Sequence, residues 1–161
     1  MSASYEGLRV NEVEKMKFAF QIYETSPDKM DSLMLGDLLR AVNINPSLER
    51  MKAFGIGKKA GEKTFNTDEC LKIYSELKKE VKDMGCYEDF IECLKLYDKA
   101  ENGKMLLGEL QHSLLSLGEK LSDDQVEKLF DDCMGEENDE GEIDYVPFLQ
   151  AMCEVQPAAS T

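Results

Sequence analysis

Asp98-Lys99-Ala100-Glu101-Asn102-Gly103-Lys104-Met105-Leu106-Leu107-Gly108-Glu109 is a twelve-residue polar segment set between two helical patterns. Upstream, Phe90, Leu94 and Tyr97 recur at i, i+4 and i+7. Downstream, Leu110, Leu114 and Leu117 do the same and stop at Gly118, a residue suited to the left-handed turn that ends helices. Counted from Asp98, an acid stands at position 1, Gly103 at position 6, apolar Met105 at position 8 and Glu109 at position 12. Calcium is a hard cation that a loop of this length wraps with oxygens from positions 1, 3, 5, 7, 9 and 12, with glycine at 6 for the sharp turn. An apolar residue at position 8 ties such a loop to its neighbour.

The framework is intact and the ligand set is not. Positions 3 and 9 are Ala100 and Leu106, so two oxygen donors are missing. Asp98, Asn102, the Lys104 carbonyl and a bidentate Glu109 supply about five oxygens where six to eight are needed, so any affinity here is expected to be roughly millimolar or weaker. Lys99 and Lys104 add repulsion.

Three related segments cover the rest of the chain. Leu96-Tyr97-Asp98 followed by Leu107-Gly108-Glu109-Leu110 is echoed by Ile22-Tyr23-Glu24 followed by Leu35-Gly36-Asp37-Leu38. The unit recurs between Ser122 and Met152, and a worn copy runs from Met51 to Leu77. Such helix–loop–helix units point to EF-hands. In the 136–147 loop, Glu136, Asn138, Glu140, Glu142 and Asp144 sit at the odd positions, but Pro147 at position 12 removes the bidentate acid and leaves a solvated acidic loop. The 58–69 loop begins on Lys58 and keeps only Glu69 well placed. From Glu24 to Asp37 the first loop is 14 residues long, with Pro27 inside it. No metal or other cofactor is expected.

Strand-like alternation is nearly absent, so the fold class is all-α. The expected organisation is an N-terminal segment (1–10), an N-lobe holding one EF-hand pair (11–77), a charged linker (78–85) with Gly85 as its break, a C-lobe with the second pair (86–153) and a fraying tail (154–161). This is a calmodulin-like dumbbell with mostly degenerate loops. Asn11, with Glu14 three residues on, is the expected cap of the first helix, and Ser122-Asp123-Asp124-Gln125 is a capping box ahead of Val126, Leu129, Phe130 and Cys133. Phe148, Leu149 and Met152 mark the last helix.

Composition narrows the function classes. The chain has 161 residues, with 33 acidic against 19 basic side chains and a net charge of −14. That balance argues against nucleic acid or anionic lipid and for a basic partner. The sequence has no apolar run near the ~20 residues that span a bilayer and begins without a signal peptide, so a cytoplasmic protein is expected. Five cysteines without C-x-x-C spacing read as reduced thiols buried as small hydrophobes, and the single histidine, His112, as an exposed helix residue. With no nucleophile–base pair and no phosphate-cradling glycine loop, enzymatic activity is not expected. The nine methionines admit two uses: Met16, Met105, Met134 and Met152 either fill cores or line an adaptable groove for an amphipathic helix.

The run Gly85-Cys86-Tyr87-Glu88-Asp89-Phe90-Ile91-Glu92-Cys93-Leu94-Lys95-Leu96-Tyr97-Asp98-Lys99 resembles muscle myosin essential (alkali) light chains. So do Glu109-Leu110-Gln111-His112-Ser113-Leu114-Leu115-Ser116-Leu117-Gly118-Glu119 and, more loosely, Gly36-Asp37-Leu38-Leu39-Arg40-Ala41 with Asn43-Ile44-Asn45-Pro46-Ser47. The likeness spans about residues 10–153 and is nearer to invertebrate than to vertebrate forms. It implies a muscle protein of the sarcomeric thick filament that wraps and stiffens the first IQ-motif helix of the heavy-chain neck, a lever arm that also carries a regulatory light chain. Loss of the calcium ligands makes that grip calcium-independent; the alternative is a calcium-regulated sensor of the calmodulin or troponin C kind. The residues expected to line the helix groove are Phe90, Leu94, Leu110, Leu114, Leu117, Leu121, Val126, Leu129, Phe130 and Met134, some of them shared with the lobe core. With only about ten residues before the first helix, no actin contact is expected, nor is a regulatory phosphosite at Ser2 or Ser4.

Overall fold

The computed structural model describes residues 5, 7–81 and 85–156, which fall into two units, Met1–Met84 and Gly85–Thr161. The first contains α1 (Val10–Tyr23), β1 (Glu24–Ser26), β2 (Lys29–Asp31), a 3-10 turn at Ser32–Met34, α2 (Leu35–Ala41), α3 (Leu48–Ala53), β3 (Thr64–Phe65) and α4 (Thr67–Glu80). The second contains α5 (Tyr87–Lys95), β4 (Lys104–Leu106), α6 (Leu107–Ser116), α7 (Asp123–Cys133), β5 (Glu142–Asp144) and α8 (Tyr145–Met152). Helices dominate, and the strands are the short bridges that couple one loop to the next. Ser2, Ser4, the linker residues Lys82-Asp83-Met84 and the tail from Pro157 onward lie outside the described residues.

Short polar side chains set the helix starts by satisfying amides that have no partner inside the helix. Ahead of α7, Ser122 Oγ accepts from the Gln125 amide at 3.3 Å while Gln125 Oε1 accepts from the Ser122 amide at 3.0 Å. Asn66 and Glu69 do the same for α4, each bond 2.8 Å long. For α1 the cap lies two residues earlier than Asn11: the Glu12 carboxylate, not that of Glu14, accepts the Arg9 amide at 2.8 Å. Glu12 is held there because Lys78 of α4 reaches it at 2.6 Å. Lys78, Lys79 and Glu80, read above as linker, form the last turn of α4, because Leu77 beneath them is fully buried and Lys78 is tied back to α1. Tyr97 lies beyond the end of α5, whereas α6 stops as expected, with Gly118 at φ +60° just past it.

In each unit the paired loops sit at one end and the helices close over a core. Met30 pairs with Phe65 across β2 and β3, and Met105 with Ile143 across β4 and β5. Both pairs are buried, so each loop contributes one side chain that welds it to its neighbour. The over-long first loop is taken up by a hairpin, β1 against β2, with Pro27 and Asp28 at its tip. Met16, Phe20, Leu35, Leu38, Leu39, Leu71 and Leu77 fill the first core, and Phe148 and Leu149 join Met105 and Ile143 in the second. Each such side chain stabilises its unit by about 1.5–3 kcal/mol on transfer from water. Among the described residues, no helix is long and apolar enough to cross a membrane.

Candidate functional site: acidic loops and an unsealed apolar rim

The 98–109 loop has the turn that its glycine dictates, with Gly103 at φ +78°, and Gly141 matches it at +77° in the partner loop. Its first acid, however, faces the protein's own donors. Asp98 is only 6% exposed; it accepts from the Asn102 amide (3.1 Å), the Gly103 amide (2.7 Å) and the Tyr145 hydroxyl (2.9 Å). Burial pushes its carboxyl up, but these hydrogen bonds outweigh burial and hold it below the ordinary carboxylate value. Asn102 Oδ1 accepts from the Lys104 amide at 3.1 Å, and the Lys104 ammonium lies 3.0 Å from Asp144. Glu109 is exposed on the first turn of α6.

The other loops follow the same rule. Asp28 accepts from the Thr67 hydroxyl and amide, and Asp31 from the amides of Leu33 and Gly61, so both are held below the usual range. Glu69, at position 12 of its loop, serves as a helix cap. Asn138 Oδ1 accepts from the amides of Glu140 and Glu142. Among the described residues, no three His, Cys, Asp or Glu side chains converge as a metal site. This donor set does not match what calcium demands.

The residues expected to line a groove divide into three groups. Leu94, Leu110 and Val126 are sealed, at 8%, 3% and 2% exposed, and serve the core; one helical face cannot supply both interior and groove. Leu114, Leu129, Phe130 and Met134 are half-buried and gather against the core together with Met152. Phe130 meets Phe148 edge to face, ring centroids 6.0 Å apart. Phe90 and Leu117 are exposed and Leu121 half-buried, all three outside that cluster. Of the methionines, Met16 and Met105 are core, and Met134 and Met152 lie at the rim. The first unit also has half-buried apolar side chains on its core, Val13, Tyr23, Val42 and Ile56 among them, and it carries a charged latch. Arg50 of α3 grips Glu80 of α4 with two hydrogen bonds of 3.1 and 2.8 Å, reaches Glu76 at 2.5 Å and lies over the Phe54 ring.

Charge is divided as unevenly as closure. Met1–Met84 carries 14 basic and 14 acidic residues, whereas Gly85–Thr161 carries 5 and 19, so the whole net charge of −14 belongs to the second unit. Sequence reasoning treated that charge as a property of the chain, and counting by repeat locates it. It also missed Arg50 and Tyr145; Tyr145, two residues after position 8 of its loop, carried a signal in that placement. The five thiols are free, and only Cys70 is buried, its thiol pushed up to about 12 by burial; Cys86 and Cys93 are exposed, contrary to the reading of all five as buried. His112 is exposed, as expected.

Two EF-hand pairs, one unit neutral and latched by Arg50, the other acidic with a half-buried apolar rim, define a calmodulin-like fold. No family model matches the chain. The alkali myosin light chain of Drosophila virilis is 56% identical over 141 residues, 88% of this chain and 90% of that one, and the Drosophila melanogaster protein has the same values. Among solved structures, Mlc1p bound to IQ2 of Myo2p, a class V myosin, is similar with a TM-score of 0.64 and 26% identity, over 85% of this chain and 96% of that one. The Physarum polycephalum myosin II regulatory domain shares the fold, with a TM-score of 0.65, 24% identity, and 91% and 98% coverage. The chain belongs to the myosin alkali (essential) light chains.

Proposed function

We propose that this chain clamps a basic amphipathic IQ-type helix in the neck of a muscle myosin heavy chain, without calcium and without catalysing a reaction. The observation that carries this is the coincidence, in one unit, of the whole net charge with the half-buried rim of Leu114, Leu129, Phe130, Met134 and Met152. A basic helix finds its counter-charge and a surface for its apolar face in the same place. A bare helix of that length is marginal in water, and clamping converts it into a stiff lever. Independence from calcium is supported by the occupied acids of the loops. On this reading the chain works on the sarcomeric thick filament in the cytoplasm, beside a regulatory light chain on the same heavy chain. Binding of an IQ helix by the related Mlc1p supports the choice of partner.

The test is calorimetric titration with a peptide of the first IQ motif of a muscle myosin, in chelator and again in millimolar calcium. Equal, tight binding in both supports the reading. Binding that requires calcium would falsify it and make the chain a sensor.

A further inference from the structure

We propose that Tyr145 is a built-in substitute for the cation of the 98–109 loop, its hydroxyl occupying the carboxylate that a bound ion would need. The idea rests on the calcium independence proposed above and names the group responsible for it. A buried carboxylate must be matched by donors or a cation. Asp98 is matched entirely from within: two amides of its own loop, and one phenol delivered by the opposite loop.

Delivery is fixed by the backbone. In the antiparallel bridge Lys104 pairs with Asp144, and the Tyr145 amide then donates to the Gly103 carbonyl at 3.3 Å. Tyr145 follows directly, is 3% exposed, and turns its hydroxyl into the neighbouring loop rather than toward water. The same register sets the Lys104 ammonium 3.0 Å from Asp144, a position-9 acid. A phenol O–H and an ammonium thus take the places of cation contacts in two adjacent loops. Phenylalanine at 145 would keep the packing and remove the donor.

A rival explanation is that Ala100 and Leu106 alone abolish ion binding, with Tyr145 a bystander. The two separate in a cycle on the full chain, stripped with chelator and titrated with calcium: parent, Ala100→Asp, Tyr145→Phe, and both together. Ala100→Asp restores the position-3 oxygen. If Tyr145 blocks the site, Ala100→Asp alone stays within about threefold of the parent and the double variant binds about tenfold or more tighter than Ala100→Asp, within the range of couplings between touching residues. Ala100→Asp binding as tightly as the double variant overturns the proposal. The Gly103 amide proton, bonded to Asp98 at 2.7 Å, reports that the loop is intact. Should the double variant lose that signal, thermal melting of Tyr145→Phe in chelator decides: a lowered transition of the second unit supports the substitute, and an unchanged one overturns it. Helix-peptide binding of the parent protein is read separately, so failure of the wider functional reading is not mistaken for failure of this one.

Discussion

Met105 and Leu106 are neighbours on β4 with opposite fates, 2% and 44% exposed, and truncating each to alanine tests whether the loop bridge holds the second unit together. Met105 faces Ile143 across the bridge and packs in the core with Phe148 and Leu149. Met105→Ala loses the transfer energy of the buried side chain and leaves a cavity that rigid loops cannot close, a cost of about 2–5 kcal/mol. A unit of this size holds in all about 4–11 kcal/mol, at roughly 0.05–0.15 kcal/mol per residue. The change therefore removes a large share of that unit's stability. At about 4–8 °C per kcal/mol for a small domain, its melting transition falls by roughly 8–40 °C. Leu106→Ala, on the solvent face, stays within about 0.5 kcal/mol. Scanning calorimetry in chelator, fitted to two transitions, reads both variants, and the transition of the first unit serves as internal control. Equal shifts for the two variants, or a first-unit transition that moves with Met105→Ala, would refute the reasoning.

Arg50→Met should lower the melting transition of the first unit and leave the second in place; adding Glu80→Gln should cost little more, because the latch is already open, and an unshifted transition would remove Arg50 from the account. Stability to urea should be flat near neutral pH and fall as pH drops below about 4, because Asp28, Asp31 and Asp98 are held below their ordinary value in the fold and the unfolded chain takes up those protons first. Asp98→Asn should lower the plateau and flatten the acid fall, and a urea midpoint unchanged down to pH 3 would contradict this. Affinity for a basic helix peptide should fall steeply with salt, and the slope should shrink when Asp124, Glu127 and Asp131 on α7 are made neutral amides; a slope indifferent to those changes would move the steering charge elsewhere.

Helix positions and the four repeats were readable because each depends on local spacing: apolar residues every three or four, and glycine at position 6. Capping was readable at Ser122, where the box is complete, and missed at Arg9, where the accepting carboxylate belongs to Glu12 and is steadied by Lys78 from 66 residues away. The same limit explains the groove. Leu110 and Leu114 lie on one stripe of α6, yet the first is sealed and the second is at the rim, because the division depends on how the neighbouring helices pack against α6. Tyr145 and Arg50 act on partners 47 and 30 residues distant, which no periodicity encodes.

Losing an ion site normally leaves acids facing one another, and a loop of like charges is costly to fold. Here Asp28, Asp31, Asp98 and Asp144 each bond to an amide, a hydroxyl or an ammonium of the same unit, which holds the turns and the bridges from within. An ion-dependent loop couples lobe shape to calcium; a self-satisfied loop removes that coupling and leaves shape to packing alone. Packing then differs between the units. The first has Arg50 bridging α3 and α4 and as many basic as acidic residues, so its net charge gives a basic helix no long-range attraction. The second keeps a half-buried rim and all of the net charge. On the proposed function, a basic helix approaching the chain would be attracted to the second unit first, and a constitutive grip would require that unit's rim to stand ready before any ion arrives, which a phenol at Asp98 would provide and an exchangeable cation would not.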